Sequence, residues 1–372
     1  MTLTAAVLAV TTVVTLSGSA AHAEEGEIGQ VNCQPDNVEK LAYSTNLDTE
    51  DNSVSVVDIT QEKVVRFING FDVPANVTPT NDGSKLYVDN WRQPGAADTK
   101  VVNPCTGEIV KSIARPGGLF PLTNLSVDGR YLYLAGIQGF TIQRLDTRTD
   151  EIVDEYTTLQ LGAGQPIGYA LPSPDGKTLW VAGLNQIYTI DLETGGLIGK
   201  PIAVGISPEW LAFTPDGSRL LATNFAGGTD SIIDTQARKV IATQETGIDS
   251  YPNSATATPD GSQFWVGNLD GSVVVIDAHN GDLVKKIDAG KMMSLDVTFN
   301  RDGSKAYVDT VPHSSDAINL NGAVTAFGLM VTGLYHAGPG EIGVYDTKTY
   351  EKTNAIVTGG LPSPLVTPPG PF

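Results

Sequence analysis

Four side chains are the first candidates for proton transfer in this sequence: His313, His336, Glu209 and Asp296. A histidine titrates near neutral pH, so it can act as a general acid or base when a carboxylate orients it. His313 and His336 flank the longest irregular stretch of the chain, whereas His279 lies in a short turn. Because a loop histidine often has no catalytic role, a catalytic and a passive interpretation both stay open.

A second set of residues could line a pocket for a small molecule. Its members are mainly aromatic or apolar, with a few polar groups among them, which is the usual composition of a ligand site. The set comprises Asn76, Trp91, Arg92, Tyr169, Trp210, Tyr251, Asn253 and Met293. The alternative is that these side chains only fill the space in which they meet.

Motifs for metals and cofactors are scarce. The chain has four His and two Cys, and their spacing does not suit a zinc or copper site. It contains no P-loop, no Gly-x-Ser-x-Gly and no Cys-x-x-Cys-His. Residues 48–52 offer oxygen ligands without the spacing of an EF-hand loop. We therefore predict no bound cofactor, while a divalent cation such as calcium or magnesium stays open at residues 48–52.

The composition excludes several classes of protein. The 372 residues include 40 Gly and 22 Pro, and 41% of residues are hydrophobic, so turns are frequent but a core can form, unlike in a disordered or collagenous chain. The net charge of -19 repels phosphate backbones, and no nucleic acid is expected as a partner.

The first 23 residues have the pattern of a cleaved secretory signal. An apolar run over 5–16 is followed by small residues that end in Ala21-His22-Ala23. No later segment is long and apolar enough to be a transmembrane helix. We expect a signal peptide at 1–23, an N-terminal segment at 24–40 and a secreted or extracytoplasmic location for the rest.

A repeated unit organises the remainder of the chain. An Asp-Gly turn followed by a short β-type run recurs at Asp82, Asp128, Asp175, Asp216, Asp260 and Asp302. Seven large apolar residues recur at intervals of roughly 44 residues, which fits a unit of four short strands: Tyr43, Tyr87, Tyr133, Trp180, Leu221, Trp265 and Tyr307. The runs show no helical periodicity, so the predicted class is all-β.

Several units also share short motifs: Ser173-Pro174-Asp175-Gly176, Thr214-Pro215-Asp216-Gly217, Tyr43-Ser44-Thr45-Asn46 and Ile232-Ile233-Asp234-Thr235. With these motifs the chain resembles the YVTN family of β-propeller repeats over residues 41–370. The resemblance implies a surface-layer-type, seven-bladed β-propeller of four-stranded antiparallel blades, in one domain over 41–372. It also implies a secreted binding or interaction protein, although the shared motifs are turn and core residues and say little about function.

The two ends of the repeat predict how the ring closes. The first unit lacks the strand that precedes its turn, and the C-terminus carries an extra copy of that strand. We therefore predict that residues 361–367 form the innermost strand of the first blade. Cys33 and Cys105 would then lie on one face of adjacent blades, and we predict a disulfide between them; two unpaired thiols are the alternative.

The position of the functional site follows from the loops. The Asp-Gly turns are short and uniform, whereas loops on the other face vary, so we expect the site at that loop-rich face and the mouth of the central channel. The longest loop, the insertion at 310–340, could be an extra hairpin, a lid or an oligomer contact. The protein itself is expected to be monomeric.

Three functions are compatible with this sequence. The first is the binding of a small, largely apolar molecule or of another protein at the loop-rich face. The second is an enzyme of lyase, lactonase or cyclase type, which uses acid/base chemistry at the channel mouth. The third is a structural protein of the cell envelope.

Overall fold

Seven four-stranded antiparallel sheets, numbered blades 1 to 7, make up the computed structural model of the chain. The structure describes residues 40–47, 51–91, 97–115, 121–136, 139–160, 162, 166–289, 292–312, 339–360 and 362–367. The innermost strands of neighbouring blades contact one another all the way round. This arrangement confirms the predicted all-β, seven-bladed propeller.

Blades 1 to 4 each run from an innermost strand at the channel to an outermost strand at the rim. Blade 1 contains, in that order, β28 (Pro362–Val366), β1 (Leu41–Asn46), β2 (Ser53–Asp58) and β3 (Lys63–Asn69). Blade 2 contains β4 (Pro74–Pro79), β5 (Leu86–Asn90), β6 (Asp98–Val102) and β7 (Ile109–Ala114). Blade 3 contains β8 (Pro121–Leu125), β9 (Tyr131–Gly136), β10 (Thr141–Asp146) and β11 (Glu151–Thr157). Blade 4 contains β12 (Ala170–Pro172), β13 (Thr178–Ala182), β14 (Gln186–Asp191) and β15 (Ile202–Ala203).

Blades 5 to 7 follow the same order. Blade 5 contains β16 (Pro208–Phe213), β17 (Arg219–Asn224), β18 (Thr229–Asp234) and β19 (Lys239–Glu245), with a 3-10 turn at Phe225–Gly227. Blade 6 contains β20 (Pro252–Ala257), β21 (Gln263–Asn268), β22 (Ser272–Asp277) and β23 (Leu283–Asp288). Blade 7 contains β24 (Met292–Phe299), β25 (Lys305–Pro312), β26 (Pro339–Asp346) and β27 (Lys352–Gly360). Within the described residues, no helix is long and apolar enough to span a bilayer.

The Asp-Gly turns are built by local side-chain chemistry. In blade 2, the carboxylate of Asp82 accepts hydrogen bonds from Thr80 Oγ1 at 2.6 Å and from the backbone N–H of Ser84 at 3.0 Å. Gly83 follows with a φ of 64°, a left-handed conformation that glycine adopts without steric cost. The same pair of bonds recurs in other blades, which explains why this dipeptide marks the repeat.

The seven repeated anchor residues form the cores between blades. All of them are at most 4% exposed. Trp265 of blade 6, for example, packs edge-on against Phe299 of blade 7 with ring centroids 5.6 Å apart, a favourable geometry for aromatic rings. Each anchor therefore joins a blade to a neighbour as well as filling its own sheet.

The ring closes as the sequence predicts. Strand β28 pairs with β1, with Val366 opposite Tyr43 and Leu365 opposite Ser44. The side chains of Leu365 and Val366 are buried in the apolar clusters on either side of blade 1. The C-terminal segment therefore completes a sheet that begins near the other end of the described chain.

Blade 2 contains a fully buried ion pair that the sequence patterns do not predict. Arg115, which directly follows β7, donates from Nη1 to Asp89 Oδ1 at 2.5 Å, and the two side chains are 1% and 0% exposed. Hydroxyl groups of Thr99 and Thr123 donate to the same carboxylate, and Arg115 also donates to the carbonyl of Ala135. The carboxylate is thus both neutralised and saturated with hydrogen bonds.

Candidate functional site

Several innermost strands carry a β-bulge near the channel entrance. The register of the first two strands shifts by one residue at Ala75, Glu209, Asn253 and Leu295 in blades 2, 5, 6 and 7. A bulge inserts an unpaired residue and redirects its side chain, and bulges are common beside functional sites. The residues that follow these bulges are Asn76, Trp210, Ser254 and Asp296.

Strained backbone precedes three of these bulges. Val73, Ser207 and Tyr251 have φ values of 52°, 58° and 50°, and each is followed by a proline. A positive φ is unfavourable for residues other than glycine, most of all for a β-branched valine. Such strain concentrates at functional sites, where the surrounding structure maintains it.

Two aromatic rings meet across blades 4 and 5. Tyr169 and Trp210 have ring centroids 4.7 Å apart with an interplanar angle of 34°. The Tyr169 hydroxyl donates to Asn124 Oδ1 at 2.9 Å. The charge of Asp296, in blade 7, contributes to raising the pKa of Tyr169 after the larger effect of burial. Tyr169, Glu209, Trp210, Asn253 and Asp296 lie on or directly before the innermost strands of blades 4 to 7, and we name them the mouth residues.

Two carboxyl groups at the mouth are poorly solvated. Burial raises the pKa of Glu209 to about 7, and the hydroxyl of Ser207, 3.1 Å from Glu209 Oε1, acts in the opposite direction. Burial likewise raises the pKa of Asp296 to about 7, partly offset by the N–H of Val297 and the hydroxyl of Ser254. Groups with such values can give or take a proton near neutral pH.

A third carboxyl group, which the sequence patterns do not single out, lies beside Asp296. Asp309 on β25 is the cross-strand partner of Asp296 and is 1% exposed. Among the described residues, neither of its oxygens has a hydrogen-bond partner of good geometry, and the same holds for Oδ1 of Asp296. Burial and then the charge of Asp296 raise the pKa of Asp309 well above its ordinary value, and the N–H of Leu365 lowers it in part. The pair forms no ion pair with any described residue.

The other predicted pocket residues have varied surroundings. The Asn253 amide donates to the carbonyl of Leu295 at 2.7 Å, so it links blades 6 and 7. The ring of Tyr251 lies 5.3 Å from that of Phe225. Met293 and Trp91 are buried at 0% and 7% exposure. The Asn76 amide is engaged by Asp89 and by the carbonyl of Thr123, which favours a structural role for Asn76.

Some predictions concern residues outside the described part of the chain. These residues are Cys33, Arg92, His313 and His336. Strands β25 and β26 extend to Pro312 and from Pro339, and the rest of the predicted insertion is likewise not described. Cys105 lies exposed in the turn between β6 and β7. The disulfide, the catalytic histidines and the three alternatives for the insertion therefore stay predictions.

Metal ligands do not cluster in the described residues. No group of three or more His, Cys, Asp or Glu side chains there could hold a metal ion. Asp51, the last carboxylate of the stretch at 48–52, accepts hydrogen bonds from the Ser53 hydroxyl and from the N–H of Gly360 at 2.8 Å. Residues 48–50 are not described, so the calcium or magnesium site stays a prediction.

Known structures resemble the fold of this chain. Hydrazine synthase of Kuenenia stuttgartiensis is 17% identical with a TM-score of 0.56, covering 77% of this chain and 95% of its own. The dihydro-heme d1 dehydrogenase NirN, in complex with DHE, is 14% identical with a TM-score of 0.57, covering 92% and 77%. The β-propeller domain of Cps50 (Swd1) from Myceliophteria thermophila is 14% identical with a TM-score of 0.56, covering 76% and 85%.

These likenesses support the propeller fold alone, because fold does not determine function. No protein-family model matches the chain. No curated protein matches its sequence either. The resemblance to the YVTN family therefore stays a prediction.

Another buried acid, without a counter-ion among the described residues, lies in blade 5. Asp230 on β18 pairs with Thr223, is 0% exposed, and neither oxygen has a hydrogen-bond partner among the described residues. Burial raises its pKa well above the ordinary value. At the same register, other blades place apolar side chains: Val54, Ile187, Val273 and Ile342.

We expect Asp230→Val to raise the free energy of unfolding at pH 8 and to leave it nearly unchanged at pH 4. Because the folded-state pKa of Asp230 is raised, the wild-type protein has its full stability below the unfolded-state pKa of about 3.9. It loses stability as the pH rises toward the folded-state pKa. Each pH unit between the two pKa values costs about 1.4 kcal/mol. Urea unfolding from pH 4 to pH 8 measures the difference.

Asp230→Asn is the matched control, because it removes the titration while keeping the size of the side chain. Both variants should lose the part of the pH dependence that Asp230 causes. A wild-type pH profile in Asp230→Val would contradict the prediction.

Proposed function

We propose that this protein is an exported β-propeller that binds a small, largely apolar molecule at the channel mouth. The observation that carries the proposal is the contact of Tyr169 with Trp210 beside the poorly solvated carboxyl groups of Glu209 and Asp296. The partly exposed ring of Trp210, packed against the buried ring of Tyr169, offers an apolar surface, while a carboxyl group can donate or accept a hydrogen bond and so orient the bound molecule.

The bulges and strained residues support the same location. Glu209 and Asn253 are themselves bulged residues, and Trp210 and Asp296 directly follow bulges. Since a bulge interrupts the ladder locally, its repetition at the mouth favours a role in aiming side chains. Secretion, suggested by residues 1–23, would expose the mouth to molecules outside the cytoplasm.

We expect Tyr169→Ala and Trp210→Ala to weaken binding of such molecules by roughly tenfold or more each, since burial of an aromatic contact contributes about 1.5–3 kcal/mol. Screening a panel of small aromatic and aliphatic compounds by thermal shift, followed by calorimetric titration, identifies ligands and measures Kd. Phe140→Ala is the control, because Phe140 is an aromatic side chain that is 56% exposed and lies outside the mouth residues. Ligands that bind equally to wild type and to both mouth variants would contradict the proposal, as would a panel without any ligand.

A second candidate function is acid/base catalysis at the same mouth. The specific observation is the pair formed by Asp296 and Asp309, which are cross-strand neighbours whose pKa values are both raised by burial. Two neighbouring carboxyl groups of raised pKa can share a proton and so serve as acid and base. Lactones and other cyclic esters are suitable test substrates; turnover that is lost in Asp296→Asn and shows an apparent pKa near 7 would support this function.

A further inference from the structure

Blades 2 and 7 carry an acid at the same register position. Asp89 in blade 2 lies opposite Asn76 of the innermost strand. Asp309 in blade 7 lies opposite Asp296 of the innermost strand. Each acid sits two residues after the anchor tyrosine of its second strand. The two sites are therefore internal copies of one arrangement.

The counter-ion differs between the two copies. The residue after each acid pairs with a residue of the third strand, which is Asp98 in blade 2 and Glu341 in blade 7. Asp98 and Glu341 each pair in turn with a residue of the outermost strand. The next residue along the chain is Arg115 in blade 2 and Thr358 in blade 7. Thr358 is 5% exposed. In blade 7, therefore, a short side chain stands at the buried position that corresponds to the position of Arg115 in blade 2.

Blade 7 therefore combines more negative charge with no counter-ion among the described residues. It holds two carboxyl groups where blade 2 holds a carboxylate, an amide and a guanidinium group. Neither oxygen of Asp309 has a good hydrogen-bond partner in the described part of the chain, although the side chain is almost fully removed from solvent. A buried carboxylate without a partner is costly, and a bound cation would remove that cost.

The residue pair whose carbonyls surround the Arg115 head group has an equivalent beside blade 7. In blade 3, the carbonyl of Ala135 accepts from Arg115 Nη2, and that of Leu122 does so at 3.4 Å. In blade 1, which follows blade 7 in the ring, Thr45 and Ser363 form the equivalent cross-strand pair, and the Ser363 carbonyl already accepts one hydrogen bond from the Thr45 hydroxyl. Backbone carbonyls and a carboxylate are the acceptors that a planar, multiply donating cation requires.

We propose that the mouth binds a small organic cation, a guanidinium or primary ammonium group on an apolar body, with Asp309 and Asp296 taking the role toward it that Asp89 has toward Arg115. This inference rests on the proposed function and specifies its ligand class. The partly exposed ring of Trp210, which packs against Tyr169, suits the apolar body and adds attraction for the positive charge. An organic cation is favoured over a metal ion, because the described residues offer no set of three metal ligands.

The test compares benzylguanidinium with its neutral isostere benzylurea by calorimetric titration. We expect benzylguanidinium to bind roughly tenfold or more tightly at pH 8, since charge-assisted hydrogen bonds to a carboxylate are about twice as strong as neutral ones. Its affinity should increase from pH 5 to pH 8 with release of protons, because the cation favours the ionised carboxylates. Benzylurea should show no such pH dependence, and Asp309→Asn should abolish the preference for the cation.

Thr358→Arg provides a second, independent test. It supplies to blade 7 the counter-ion that Arg115 supplies to blade 2, so it should raise the melting temperature at pH 8 and compete with benzylguanidinium. Thr358→Met adds similar length without charge and should do neither. Thr158→Arg is a matched control. Thr158 is also 5% exposed and follows the outermost strand of blade 3. In that blade, Ala135 stands at the position that Asp309 has in blade 7.

Four outcomes distinguish the two proposals. Preferential binding of benzylguanidinium that is lost in Asp309→Asn supports the cation site. Equal binding of the two isosteres overturns it but leaves the small-molecule site intact. Binding of neither isostere overturns the cation site, and the compound panel then decides the proposed function separately. A Thr358→Arg variant that is no more stable than Thr358→Met also counts against the cation site.

Discussion

Truncation after Gly360 is expected to abolish cooperative folding at room temperature. It removes β28, so the inner edge of β1 loses its pairing partner and blade 1 exposes its core. Burial of Leu365 and Val366 contributes about 1.5–3 kcal/mol each, and each lost backbone hydrogen bond costs roughly 1 kcal/mol more. Together these terms approach the whole stability of a typical domain, about 5–15 kcal/mol.

Urea unfolding, followed by circular dichroism and tryptophan fluorescence, measures this effect. Truncation after Thr367 is the matched control, because it keeps all of β28 and should unfold at the wild-type urea concentration. Adding a synthetic peptide of residues 361–372 to the shorter chain should restore folding, since the peptide can pair with β1. A wild-type midpoint for the chain that ends at Gly360 would show that β28 does not close the ring.

Arg115→Leu is expected to lower the free energy of unfolding by about 3–5 kcal/mol, because it leaves a fully buried carboxylate without its counter-ion. Leucine keeps part of the apolar volume, so most of the loss comes from Asp89, which is 0% exposed. The double variant Asp89→Asn/Arg115→Leu should recover much of this stability, since it removes the buried charge as well.

An ion pair with an exposed arginine provides the control for this prediction. Arg130 pairs with Asp146 at 3.5 Å, and its side chain is 46% exposed. Arg130→Leu should therefore change the unfolding free energy by less than about 1 kcal/mol. If Arg115→Leu changed it as little as Arg130→Leu, the buried pair would not stabilise the protein as proposed.

Much of the fold could be predicted from the sequence because its determinants are local. The Asp82 carboxylate makes its turn with residues two positions away, and the turns at Asp128, Asp175, Asp216 and Asp260 use the same pair of contacts. Each repeat places a large apolar residue on its second strand, so the anchor residues appear at regular intervals. These residues mark the cores between blades. The closing strand was predictable because a copy of the repeat was missing at one end and present at the other.

Less of the candidate site could be predicted. Tyr169, Trp210 and Asp296 each precede the Asp of an Asp-Gly turn by six residues, a spacing that predicts their positions along a strand but not their contacts. The bulges at Glu209 and Asn253 were missed. A usable signal was present in Ser207-Pro208 and Tyr251-Pro252, where proline stands two residues before the residue at the entrance.

The clearest contrast lies in two copies of Tyr-Val-Asp, one ending in Asp89 and the other in Asp309. The sequence alone determined that both acids belong to the second strand of a blade, because turns and alternation act over a few residues. The charged groups beside each acid depend on the tertiary structure. Asp89 meets a guanidinium group 26 residues further along the chain, whereas Asp309 meets Asp296 and no cation among the described residues. The physical reason is that the ionisation of a buried carboxyl group depends on charges brought to it through space by other strands.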